Sequence, residues 1–177
     1  MDSKGDAALL MGVEQMTGRG AIGIYLGPEL ATTHRTWLAR AATMYADRNR
    51  LIQRHTQTEG LRIESSLWDH PTPDTLLQLN GSFGSARGEA WGRAALGYRL
   101  GPPALPNPFG GVFRPSPFFL GPEVEISLAR DYTRWRVGAH VTNLKILGFN
   151  LRVAAGREQA SGNMRGLYVT AGLHWHR

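Results

Sequence analysis

The sequence predicts an all-β fold, an antiparallel up-and-down β-barrel of about 8–10 strands in a single domain spanning residues 1–177. Three observations carry this. From Glu59 onward, apolar and polar residues alternate with a period of two over runs of strand length. Those runs follow one another over short links, which favours antiparallel neighbours. The 22 Gly and 10 Pro also suit turns better than a helical bundle.

The N-terminal stretch "MDSKGDAALLMGVEQM" has no basic start followed by an apolar run, so no signal peptide is visible. Either the protein stays in the cytoplasm or this chain lacks its export signal. "AIGIYLGPEL" reads as a strand. In "HRTWLARAATMYADRNRLIQRH" the apolar residues Trp37, Leu38, Ala41, Met44, Tyr45, Leu51 and Ile52 are spaced more as in a helix than in a strand. An irregular or partly helical segment is therefore expected near residues 33–56, within a long connection over 31–59.

After Glu59 each element declares two faces. Leu61, Ile63 and Leu67 oppose Arg62, Glu64 and Ser66, and the prolines of "HPTPDT" then mark a turn. Leu77 and Leu79 oppose Gln78, Asn80 and Ser82; Ala94, Leu96, Tyr98 and Leu100 oppose Arg93, Gly97 and Arg99. "GPPALPNPFGGVFRPSP", residues 101–117, is too rich in Pro and Gly for a regular element and is expected to be a loop. Beyond it Val124, Ile126 and Leu128 oppose Glu123, Glu125 and Ser127, while Trp135, Val137, Ala139 and Val141 oppose Arg134, Arg136, Gly138 and His140. "FNLRVAAG" and "GLYVTAGLHWHR" continue the same alternation to the end.

Two environments produce such faces. A half-covered soluble sheet buries the apolar face and wets the polar one. A membrane barrel turns the apolar face to lipid and keeps the polar face inside. Runs of about ten residues match what a tilted strand needs to cross a bilayer. Aromatic residues fall near segment ends (Trp68, Trp91, Tyr98, Phe118, Phe119, Tyr132, Tyr168, Trp175), as an interfacial girdle would have them. Gly84, Gly97, Gly138 and Gly172 lie on the polar side, where a narrow barrel needs room.

A short phrase occurs twice, "YLGPEL" at Tyr25–Leu30 and "FLGPEV" at Phe119–Val124. In the second, Gly-Pro is expected at a strand start, where Pro removes no ladder donor. Glu123 and Glu125 then share the polar face with Arg134 and Arg136 of the next strand, and polar-face ion pairs among these four are expected.

Composition excludes much else. The net charge of +6 sets 18 Arg and two Lys, Lys4 and Lys145, against 14 Asp and Glu, with the basic residues scattered singly rather than in a patch, so nucleic acid is not expected as a partner. Without Cys there is no disulfide framework and no Cys-based zinc or redox site. No Gly-x-Ser-x-Gly elbow is present, and His174 and His176 share a strand face without a third ligand nearby. No catalytic, cofactor or metal site is predicted, and an enzyme is not expected.

Several stretches together resemble the bacterial cellulose biosynthesis protein BcsS family. They are Leu67-Trp68 followed by Pro71-Thr72-Pro73, "RAALGYR" at Arg93–Arg99, the Gly121-Pro122-Glu123 phrase and "DY..WRVG.HVT" at Asp131–Thr142. The resemblance covers about Glu59 to Arg177. It implies a non-enzymatic cell-envelope β-barrel in the outer membrane that supports cellulose biosynthesis or secretion. The implied partners are cellulose synthase subunits or the glucan, together with outer-membrane lipid. In and just after the 101–117 loop, Phe109, Phe113, Arg114 and Phe118 form a candidate glucan-contact group, aromatic rings beside an Arg being suited to a sugar ring; the same Phe residues also suit anchoring at a bilayer edge. A soluble β-barrel or sandwich that binds an apolar ligand or a protein is the alternative.

Overall fold

The computed structural model describes residues 2–43, 46–101, 105–106, 112–113, 117–146 and 149–174. The elements are β1 (Asp2–Ala8), β2 (Met11–Met16), β3 (Gly20–Thr43), β4 (Ala46–Asp69), β5 (Thr75–Gly84) and β6 (Glu89–Leu100). They continue with β7 (Leu105–Pro106), β8 (Val112–Phe113), β9 (Phe118–Ala129), β10 (Tyr132–Ile146), β11 (Phe149–Ala160) and β12 (Met164–His174). One sheet holds ten of them in the order β1-β3-β4-β5-β6-β9-β10-β11-β12, with β2 also on β3. Every pairing is antiparallel. The fold is thus all-β and up-and-down, and its two edges, β1/β2 and β12, are unpaired among the described residues.

The expected irregular or helical segment near 33–56 is instead part of a long hairpin. β3 and β4 pair without a break from Gly20↔Asp69 to Thr43↔Ala46. The helix-like spacing came from two adjacent apolar positions on each strand that the register pairs with one another, Trp37↔Ile52 and Leu38↔Leu51. Read along one strand, such doublets mimic a helical period; read across two, they are cross-strand partners. The 101–117 segment carries only the two-residue ladder Leu105↔Phe113 and Pro106↔Val112 among its described residues.

The faces are inverted relative to a soluble sheet. Ile24 (55 % exposed), Leu61 (58 %) and Val137 (49 %) stand on the open side, while Glu123 (4 %) and His140 (1 %) are buried on the other. The polar face is concave. Its cavities are walled by strands far apart in the sheet order: one is bounded by Asp6 and Glu29 on one side and Tyr132 and Arg134 on the other. Curling is accompanied by stagger. Tracing the ladders from Arg134 through Ser127, Trp91, Ser82 and Glu64 leads to Tyr25 on β3, yet Arg134 shares its cavity with Glu29. A slip of that kind along the strand is what coiling a sheet toward a barrel requires.

The repeated Leu-Gly-Pro-Glu phrase has one structural meaning in both places, and it is not a strand start. Gly27-Pro28 lies well inside β3 and Gly121-Pro122 lies within β9. Beside each, the ladder lapses for two residues and resumes in the same register: Ala8↔Glu29 then Met11↔Leu26, and Ala95↔Glu123 then Tyr98↔Leu120. Pro has no N–H to give the neighbour, so the bond is missing. The Gly before it lets the neighbour's carbonyl close in: a Cβ on Gly27 would overlap Leu9 O, and one on Gly121 would overlap Leu96 O. β1 and β2 are therefore one strand interrupted by Pro28. In each copy the Glu after Pro turns inward, Glu29 to 8 % and Glu123 to 4 % exposure.

Candidate functional site: the concave polar face

Three groups of side chains fill the concave face. At one end Arg62, on β4, gathers carboxylates from three strands: Asp6 at 3.0 Å, Glu29 at 3.5 Å and Glu64 at 2.8 Å. Arg87, on the β5–β6 turn, donates to the carbonyls of Gly5 (2.8 Å) and Thr32 (2.6 Å), tying the β1 edge inward.

The second group contains three of the four predicted ion-pair residues. Across the β9–β10 ladder Arg136 faces Glu125, and Nη1 donates to Oε1 at 3.0 Å. Arg136 Nε donates to Glu158 of β11 at 2.9 Å, and Arg134 Nη2 lies 3.8 Å from Glu125. One carboxylate between two guanidiniums, one guanidinium between two carboxylates, makes a line of alternating charge across three strands.

Glu123 belongs to the third group instead. It pairs with Arg152 of β11 and accepts a 2.9 Å hydrogen bond from the Tyr168 hydroxyl of β12. Tyr168 reaches that far because two glycines lie beneath it: a Cβ on Gly138 would come 2.5 Å from its hydroxyl, and one on Gly156 would come 2.9 Å from its Cε1. The Arg136 guanidinium carbon sits 5.1 Å from the Tyr168 ring centre, adding a cation–π contact. Thus one side chain on the edge strand locks β9 through β12 together. His140 is buried beside this group, its ring nitrogens without hydrogen-bond partners among the described residues.

The aromatic girdle needs correcting. Tyr168 (6 % exposed) and Phe119 (5 %) face inward and Trp91 and Tyr132 line the concave side, whereas Tyr98 and Trp135 are exposed. Trp175 lies outside the described residues. Of the candidate glucan-contact group, Phe109 and Arg114 lie outside the described residues, Phe113 pairs with Leu105, and Phe118 opens β9 opposite Leu100.

A cavity of about 540 Å³ opens on the concave face. Tyr25 and Trp68 line it from β3 and β4, Gln78, Asn80 and Arg93 from β5 and β6, and Asn143, Asn150 and Arg152 from β10 and β11. Asn143 reaches it through a one-residue register shift between Val141 and Leu144, at a left-handed φ of 64°, and donates to Pro117 O at 3.1 Å. Sequence reasoning missed this constellation. Gln78, Asn80, Arg93, Asn150 and Arg152 were visible as polar-face positions, whereas Tyr25, Trp68 and Asn143 were not, and only the curl of the sheet brings β4 and β11 to one cavity.

The family model for cellulose biosynthesis protein BcsS matches residues 2–177. The chain belongs to the BcsS family. The match includes the N-terminal third that the resemblance had left out, which agrees with β1–β4 being continuous with the rest of the sheet. No curated protein and no solved structure matches the chain. Family membership ties this BcsS chain to cellulose biosynthesis.

Proposed function

We propose that this BcsS-family chain is a non-enzymatic outer-membrane β-barrel that supports cellulose biosynthesis by acting after polymerisation, in secretion or matrix assembly. One observation carries the reading: the charged face is turned inward and the apolar face outward. Ile22, Ile24, Leu61, Ile63, Val124, Ile126 and Val137, on β3, β4, β9 and β10, are each more than two-fifths exposed. Water alone disfavours an apolar surface on that scale, and lipid favours it. The alternating Arg and Glu side chains meanwhile satisfy one another inside, as a narrow polar interior requires. A soluble sheet would show the opposite distribution.

The partners this reading names are outer-membrane lipid outside and cellulose synthase subunits or the glucan at the ends of the strands. The test is fractionation of cells expressing the full chain behind an export signal. Recovery in the outer membrane, resistant to alkaline carbonate extraction, is the expected result. Extraction into the soluble fraction would refute the membrane reading. Deleting the gene is expected to lower extracellular cellulose while leaving glucan synthesis by isolated inner membranes intact; unchanged cellulose would remove the secretory role.

A further inference from the structure

We propose that the cavity between β3–β6 and β10–β11 is a binding site for a β-linked glucan chain; this rests on the reading that the protein serves cellulose production. The observation behind it is unused hydrogen-bonding capacity around a roomy space. Gln78 Oε1, Arg93 Nε and Arg152 Nε are buried without hydrogen-bond partners among the described residues, and all three side chains line the cavity. Buried polar groups are almost always satisfied, so a cluster of orphans around one cavity marks a place built to meet polar groups from elsewhere. At about 540 Å³ the space is in the range of small-molecule sites.

The chemistry of the walls selects the ligand. No carboxylate lines the cavity among the described residues. Arg152 is paired with Glu123, and Arg93 is buried within the field of Arg152, Glu123 and Glu125, so whether the site takes an anion is tested directly with inorganic phosphate. The amides of Gln78, Asn80 and Asn150 both donate and accept, which suits hydroxyl groups, themselves donors and acceptors. Trp68 stands at the rim, 43 % exposed. An equatorial, β-linked glucose ring presents flat C–H faces to an indole and a ring of hydroxyls to the amides around its edge. Axial hydroxyls or α-linkages spoil one or the other. Asn143, on the cavity wall, donates to Pro117 O.

The experiment is calorimetric titration of the full chain, refolded in detergent, with cellohexaose. Maltohexaose and inorganic phosphate serve as competing probes. Saturable binding of cellohexaose with a Kd below about 1 mM is expected, with maltohexaose at least tenfold weaker and phosphate without effect. Trp68→Ala and Gln78→Ala should each weaken binding roughly five- to tenfold, and Trp135→Phe on the outer face should change nothing. Trp68→Phe, which keeps a ring and the fold, should retain most of the affinity, so a misfolded Trp68→Ala does not remove the test. Absent binding, equal binding of maltohexaose or displacement by phosphate overturns the proposal. Flotation of the same preparation with lipid vesicles separates the two readings. A chain that floats but does not bind refutes only the glucan site; a chain that binds but does not float refutes the membrane barrel and keeps the site.

Discussion

Removing one oxygen atom tests how the last four strands hold together. Tyr168→Phe deletes the donor to Glu123 while leaving the ring over Gly138 and Gly156. Glu123 is 4 % exposed, so water cannot replace the lost donor. Hydrogen bonds to charged groups contribute about 1.5–3 kcal/mol, and Arg152 remains to hold the carboxylate, so the lower half of that range, about 1.5–2 kcal/mol, is expected. With a urea dependence of about 2 kcal/mol per molar, this lowers the unfolding midpoint by just under about 1 M. The assay is urea unfolding of the refolded chain in micelles, followed by loss of the folded band in unheated gel electrophoresis. A double-mutant cycle with Glu123→Gln isolates the pair, and its coupling should account for most of the single-mutant loss. An unchanged Tyr168→Phe midpoint, or additive effects in the cycle, would refute the idea that the edge strand is anchored through this bond.

Three further outcomes follow from the same structure. Val137→Arg, on the outward face, should cost about 2–4 kcal/mol and block assembly in lipid, whereas Val137→Leu should be silent; equal assembly yields of the two variants would contradict a lipid-facing surface. Arg152→Met should cost about 3–5 kcal/mol in the same urea assay because it strands Glu123, and adding Glu123→Leu should recover much of the loss; a double variant no better than the single would contradict a paired buried charge. Gly121→Ala should destabilise by about 1–3 kcal/mol, since its new methyl group meets backbone rather than a flexible side chain, and thermal melting near wild type would show that β6 can move aside.

Period-two patterning was enough to read the strands after Glu59 and to sort most of their polar and apolar residues onto two faces. Glu125, Arg134 and Arg136 were legible as neighbours because β9 and β10 are joined by only Arg130 and Asp131, and so short a turn fixes the register. Glu123's partners were not. Arg152 is two strands away and Tyr168 three, and contact at that range depends on curvature and on the space left by Gly138 and Gly156, which no strand pattern encodes. The β3–β4 hairpin was hidden for a related reason: its apolar doublets match a partner strand rather than a face of their own. The Leu-Gly-Pro-Glu phrase was visible as a repeat, but its role, a two-residue lapse in a neighbour's ladder, exists only between strands.

The interruption at Pro28 bears on the rim of the sheet. Because β1 and β2 count as one strand, the sheet has an odd number of positions among the described residues, and the two edges left unpaired among them run in the same direction. If β12 joined that first strand directly, the seam would be parallel, alone among antiparallel ladders. A single extra strand running the other way, from whatever chain, would meet both edges antiparallel at once, like the last stave that lets a cask take its hoops.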